Sequence, residues 1–114
     1  MAVVELEPMV GFEDRAEDAA RMMKLLANEK RLMILCRLAE AGEASVGTLA
    51  DSVGLSQSAL SQHLAKMRQE GLVSYRRDAQ TLFYRVDDAD AGRILMLLKD
   101  IYCGAPGMPE AGNA

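Results

Sequence analysis

Between residues 45 and 67 the chain spaces small, apolar and turn-forming residues in a way that two short crossed helices satisfy. Ser45 is a favoured helix N-cap, and Leu49 and Val53 then lie four residues apart on one face. Ala50 is the small residue that lets a second helix cross closely. Gly54, four residues later, can adopt the left-handed conformation that ends a helix, and Leu55 closes the turn. Ser56 caps a further helix over residues 57–70, anchored by Leu60, Leu64 and Met67 and ended by Gly71. Apolar contacts, a small residue at the crossing and a glycine at the turn are what a helix-turn-helix requires.

Projected at 3.6 residues per turn, the second of these helices has two unlike sides. Leu60, Leu64 and Met67 fall on one; Ser58, Ser61, Gln62, Ala65 and Gln69 fall on or near the other. The outer side has no acid, has amide and hydroxyl donors, and has a small Ala where a groove floor would press. Such a face suits the major groove of DNA, where Gln can pair with adenine and Ser can meet any base edge. Ser56, Gln57, Ser58, Ser61 and Gln62 are the candidate contacts. The plainer alternative is a solvated polar face, but helices solvated without purpose usually carry more Glu and Lys. His63, the sole histidine, projects beside the leucine stripe and reads as a packing or backbone-bonding residue.

The flanking sequence completes a mainly α architecture with one β-hairpin. Residues 13–26 read as a first helix with an acidic first turn, matched to the helix dipole, and a small-residue stripe of Ala16, Ala19, Ala20 and Met23. Asn28 caps a second helix over residues 29–41, with Leu32, Leu35, Leu38 and Ala39 inward and Gly42 ending it. After Gly71 the period changes to two. Residues 72–76 and 81–86 read as strands joined by Arg77, Asp78, Ala79 and Gln80. Asp88 caps a last helix to residue 103, striped by Ile94, Leu97, Leu98 and Ile101. The order is four helices, two strands, one helix: a winged helix-turn-helix over residues 12–103. Residues 1–11 and 104–114 are expected to be flexible ends.

Arg76 and Arg77 lead into the hairpin tip, and Gln80 leaves it. Arginines there suit phosphate or minor-groove contact. Alone they would read as charges that keep an edge hairpin soluble; directly after a groove-reading helix they favour a wing. The formal net charge of −4 conceals a useful distribution. Residues 1–20 carry one Arg against six acids. Residues 56–86 carry Lys66, Arg68, Arg76, Arg77 and Arg85 against Glu70 and Asp78, a surplus of three. A basic middle between acidic ends fits a phosphate-facing surface.

A chain of 114 residues makes one domain with an adequate core. No apolar run approaches a membrane span, and the acidic N-terminus does not read as a signal peptide, so a cytoplasmic protein is expected. No Ser/His/Asp set, cleft carboxylate pair or phosphate-binding glycine loop argues for an enzyme, and no cofactor is implied. Cys36 and Cys103 do not make a disulfide framework; they are either inert packing residues or a redox pair.

The stretch Leu25-Leu26-Ala27-Asn28-Glu29-Lys30-Arg31-Leu32-Met33-Ile34-Leu35 resembles the second-helix signature of ArsR/SmtB-type repressors. Ser56-Gln57-Ser58-Ala59-Leu60-Ser61-Gln62-His63-Leu64 resembles their recognition helix. Gly71-Leu72-Val73 and Phe83-Tyr84-Arg85-Val86 resemble their wing strands. The resemblance implies a homodimer formed by the first and last helices on a pseudo-palindromic double-stranded operator. It departs from the family's metal sensors: the third helix has no cysteine run and the last helix has no histidine, so no metal site is expected.

The two cysteines resemble a narrower subgroup, the persulfide-responsive repressors of the SqrR/BigR type. Cys36 is followed by Gly42-Glu43-Ala44-Ser45-Val46-Gly47, and Cys103 by position ends the last helix after Asp100-Ile101-Tyr102. The resemblance implies that sulfane sulfur links Cys36 to Cys103 and releases the operator. A disulfide tolerates only about 4.4–6.8 Å between Cα atoms, and each inserted sulfur adds up to about 2 Å. A polysulfide bridge can therefore span a pair too far apart for direct oxidation. Other readings stay open: the same repressor answering another oxidant, a metal or no thiol signal, or a winged-helix protein-interaction module without DNA binding.

Overall fold

The computed structural model describes residues 3–103. The tail expected at 104–114 lies outside them, as do residues 1 and 2. A single 3-10 turn, Phe12–Arg15, leads into α1, Ala16–Leu26. Then follow α2, Glu29–Ala41; β1, Ala44–Ser45; α3, Val46–Val53; and α4, Gln57–Gln69. The hairpin is β2, Val73–Asp78, and β3, Thr81–Val86, and the last helix is α5, Ala89–Cys103. The first helix thus begins three residues later than its acids imply, because residues 12–15 are wound more tightly.

Local side-chain chemistry sets the helix starts. Asn28 Oδ1 accepts from Arg31 N at 2.9 Å, Ser45 Oγ from Thr48 N at 3.3 Å, Ser56 Oγ from Ala59 N at 3.1 Å and Asp88 Oδ1 from Ala91 N at 2.9 Å. Each occupies one of the backbone donors a helix start leaves unpaired. Gly54 ends α3 at φ 70°, and Leu55 N reaches back to Ala50 O at 3.1 Å. That left-handed residue turns the chain sharply enough to set α4 across α3.

The core gathers one face of each α-helix and of the sheet. Ile34, Leu35 and Leu38 of α2 meet Leu49 and Ala50 of α3, Leu60, Leu64 and Met67 of α4, and Leu72, Val73 and Tyr84 of the sheet. Burying each large side chain contributes about 1.5–3 kcal/mol. Ala39, expected inward, is exposed, and Ile34 takes the inner position instead. In α1 only Leu26 is buried. In α5 the buried residues are Ala91 and Leu95, with Ile94 and Leu98 half-buried. Leu97 and Ile101, expected on the same stripe, face outward at 58% and 60% exposure. No helix among the described residues is long and apolar enough to cross a membrane.

The sheet has three strands, not two, in the order β1-β3-β2, all antiparallel. Ala44 pairs with Tyr84 and Ser45 with Phe83. Two residues are too short to show alternation, so sequence patterning misses β1. The hairpin is also tighter than expected: Arg77 pairs with Leu82 and Asp78 with Thr81, leaving only Ala79 and Gln80 in the turn. Ala79 takes φ 56°, a region that disfavours a side chain.

Candidate nucleic-acid interface and thiol pair

The polar ridge of α4 stands outward because its opposite side is held completely. Leu60, Leu64 and Met67 have no solvent exposure, whereas Gln57, Ser58, Ser61, Gln62 and Ala65 are exposed. The first turn contains no acid. Ser56 is exposed too, although its hydroxyl oxygen is occupied by the cap. Gln57 leans back toward α3: its Nε2 lies 3.5 Å from where a Cβ on Gly47 would sit. The candidate contacts on this helix are thus on one open surface, with Gln57 partly engaged by its neighbour.

The two wing arginines are placed differently, and both lie within β2 rather than in a loop. Arg76 is held by Glu43, Nε to Oε2 at 2.9 Å and Nη2 to Oε1 at 2.8 Å. Its guanidinium also lies 4.6 Å over the Phe83 ring. This fork lowers the Glu43 carboxyl below its ordinary value, mainly through the hydrogen bond, and raises Arg76. Arg76 therefore ties the wing to the residue just before β1. Arg77 is exposed, and Gln80 is exposed in the turn. At the wing's root, Arg68 of α4 lies 4.6 Å over Tyr75, whose ring is 5.3 Å from that of Tyr84.

A second polar fixture joins α1, α2 and α4. Arg31 Nη1 donates to Leu25 O at 2.9 Å and sits 2.9 Å from Glu70 Oε1, with only 12% and 25% of the two side chains exposed. His63 is half-buried and lines a cleft with Asn28, Arg31, Ala59, Gln62 and Lys66. Sequence reasoning assigned no contact to Glu43 or Arg31, because each meets its partner, Arg76 or Glu70, from far along the chain.

Both cysteines are free thiols. Cys36 is half-buried at the margin of the core, and Cys103 is exposed at the end of α5. Burial pushes the Cys36 thiol up, and nearby charge on Cys103 and Glu40 pushes it further. Among the described residues no group of three or more His, Cys, Asp or Glu could hold a metal ion.

Residues 28–75 match the bacterial regulatory proteins of the arsR family. The chain is 46% identical over 94 residues to the transcriptional activator HlyU of Vibrio cholerae, covering 82% of this chain and 86% of that protein. The structure of reduced HlyU from the same organism superposes with a TM-score of 0.74, covering 81% of this chain and 96% of that one. The transcriptional repressor BigR from Xylella fastidiosa superposes with a TM-score of 0.77 at 37% identity, covering 87% of this chain and all of that one. Each of these proteins is similar to the present chain in sequence and in fold.

Proposed function

The chain belongs to the arsR family of bacterial regulatory proteins, and on that premise we propose that it is a homodimeric repressor switched by sulfane sulfur. As a transcription regulator it needs a DNA-reading surface. The observation that carries the proposal is the exposed, acid-free ridge of α4, and in this reading Ser58, Ser61 and Gln62 meet base edges. Ser56 and Gln57 sit at its start, and Arg77 and Gln80 approach the backbone from the wing. Arg76 acts mainly through Glu43, as the wing's brace.

Dimerisation through α1 and α5 is supported by what those helices leave uncovered. Met23 is 57% exposed, and Met96, Leu97, Ile101 and Tyr102 are all exposed on α5. Apolar side chains clustered on an outer face mark an interaction surface. A two-fold dimer presents two α4 ridges to successive half-sites of a pseudo-palindrome.

For the switch, exposed Cys103 meets the reagent first. Its thiolate attacks an inner sulfur of a hydropolysulfide, and the shortened terminal fragment leaves as hydrosulfide. The Cys36 sulfur, after losing its proton to solvent, then attacks a sulfur of the Cys103-bound chain and expels a second hydrosulfide. Two thiols and one polysulfide thus give one bridge and two hydrogen sulfides, with the polysulfide as oxidant. The greater exposure of Cys103 supports this order, as does the burial that pushes the Cys36 thiol up and makes it the slower partner.

The test is operator binding before and after treatment with polysulfide, peroxide or zinc, read beside the intact mass. Whole sulfur atoms gained, both free thiols lost and affinity reduced by polysulfide alone is the expected result. Unchanged affinity with polysulfide overturns the sensing proposal, and a loss caused by peroxide or zinc transfers it to that signal. Repression itself is checked with a promoter reporter, since HlyU is named an activator.

A further inference from the structure

The geometry points to a second, sequence-independent DNA contact: Lys24, His63 and Lys66 line clefts on the α2 side of α4 that receive the operator's phosphodiester backbone. This inference rests on the DNA-reading role of α4. It concerns a part of the surface that lies apart from the wing.

Two adjoining clefts, about 310 and 350 Å³, share Asn28, Arg31 and Lys66. The first is also lined by Gln62 and His63, and the second by Arg21, Lys24 and Glu70. Gln62 belongs to the outward ridge as well, and Lys66 lies one helical turn beyond it. Ser58, Gln62 and Lys66 are spaced four apart, so one stripe of α4 runs from the groove-reading face into the cleft. A duplex seated on the ridge brings a backbone strand past this edge.

The charges in the clefts are of two kinds. Arg21 is engaged by Glu17 at 3.6 Å and Asp18 at 3.3 Å, and Arg31 by Glu70 at 2.9 Å. Among the described residues neither Lys24 nor Lys66 is ion-paired. The lining acid, Glu70, is thus already countered, and the other nearby acid is Glu29, exposed in the first turn of α2. Asn28 uses its carboxamide oxygen to cap α2 and so offers only its NH2 group outward. Two uncommitted ammonium groups, an imidazole and an amide donor form a donor set suited to a phosphate and indifferent to base sequence.

The test uses a labelled random-sequence duplex and an operator enriched from a random pool, each titrated across salt concentrations. The double variant Lys24→Ala with Lys66→Ala is compared with Arg77→Ala and with Lys66→Arg. Each lost phosphate contact lowers the slope of log affinity against log salt by about 0.9, or about 3.5-fold between 50 and 200 mM. The double variant should lose up to two such steps on both duplexes alike, and Lys66→Arg should keep its own. An unchanged slope in the double variant, with Arg77→Ala showing its loss, overturns this inference and leaves the reading of α4 intact. Binding of inorganic phosphate that needs both lysines, with DNA slopes unchanged, also overturns it in favour of a free-anion site. If wild-type protein binds neither duplex, the DNA-reading role fails and this contact falls with it.

Discussion

α4 and α5 are helices of similar length, 13 and 15 residues, set on either side of the hairpin, and they show solvent opposite chemistry. Both bury an aliphatic stripe. The free side of α4 is serine, glutamine and alanine with Lys66 and Arg68 toward its end, whereas that of α5, among its charges, exposes Met96, Leu97, Ile101 and Tyr102. A hydrated, hydrogen-bonding ridge gains by meeting a groove whose edges it can match. A thioether, aliphatic and aromatic face gains by leaving water altogether. In a fold this small, the free side of a helix distinguishes the partner it suits more sharply than the buried side does.

The largest expected effect comes from giving α5 the wrong polarity. Leu97→Asp with Ile101→Asp should yield monomers by sedimentation, and operator affinity should fall roughly 100-fold or more, because each side chain forfeits about 1.5–3 kcal/mol of burial. Far-UV dichroism should not change, since both residues are exposed in the protomer. A variant that remains dimeric would break the contrast between the helices. Next is the hidden side of α4. Leu64→Ala removes a side chain with no solvent exposure and should cost about 2–5 kcal/mol, read as a lower urea midpoint.

Gln62→Ala, on the open side of the same helix, should leave that midpoint alone. It should weaken operator binding by about 1–3 kcal/mol while sparing random duplex, which sharpens the distinction between anchoring and reading. At the end of α5, iodoacetamide should label Cys103 before Cys36 at neutral pH. Labelling of Cys36 should accelerate only as pH rises beyond the usual thiol value of about 8.5, because its thiol is pushed up. Labelling of Cys36 first would contradict the proposed order of attack.

The smallest effect belongs to the wing's brace. The Glu43 carboxyl is lowered in the folded protein, so its contribution is present above the ordinary carboxylate value of about 4.3 and is lost as pH falls through the lowered one. Wild-type protein should therefore lose slightly more stability than Glu43→Gln between pH 5 and pH 3. Equal losses would show that the fork adds nothing measurable, as is common for exposed pairs.

What the sequence displayed was local. The caps at Asn28, Ser45, Ser56 and Asp88 bond their own helices three residues ahead, so residue type and position sufficed. The leucine anchors of α4 were legible because one face is plainly apolar. Contacts made by distant residues were not. Glu43 and Arg76 lie 33 residues apart, and only the sheet brings them together. The extension of β2 through Arg77 and Asp78 was hidden because two charges resemble a loop, although an edge strand tolerates them. In α5 the apolar residues cover more than one side, so periodicity alone could not separate Leu95, which is buried, from Leu97, which is not.

The two-residue strand β1 stitches the outer edge of β3 to the start of α3, and Glu43 adds a fork to Arg76 beside it. Residues 43–86 are thereby joined through the sheet, the wing being tied at β1 and at Glu43 as well as at the end of α4. On the proposed dimer, a signal at Cys36 and Cys103 would then act on the orientation of this whole span rather than on the wing alone. Because this connected span holds every candidate contact to base edges, a chimera that places it on a relative's α1, α2 and α5 should carry the target preference along.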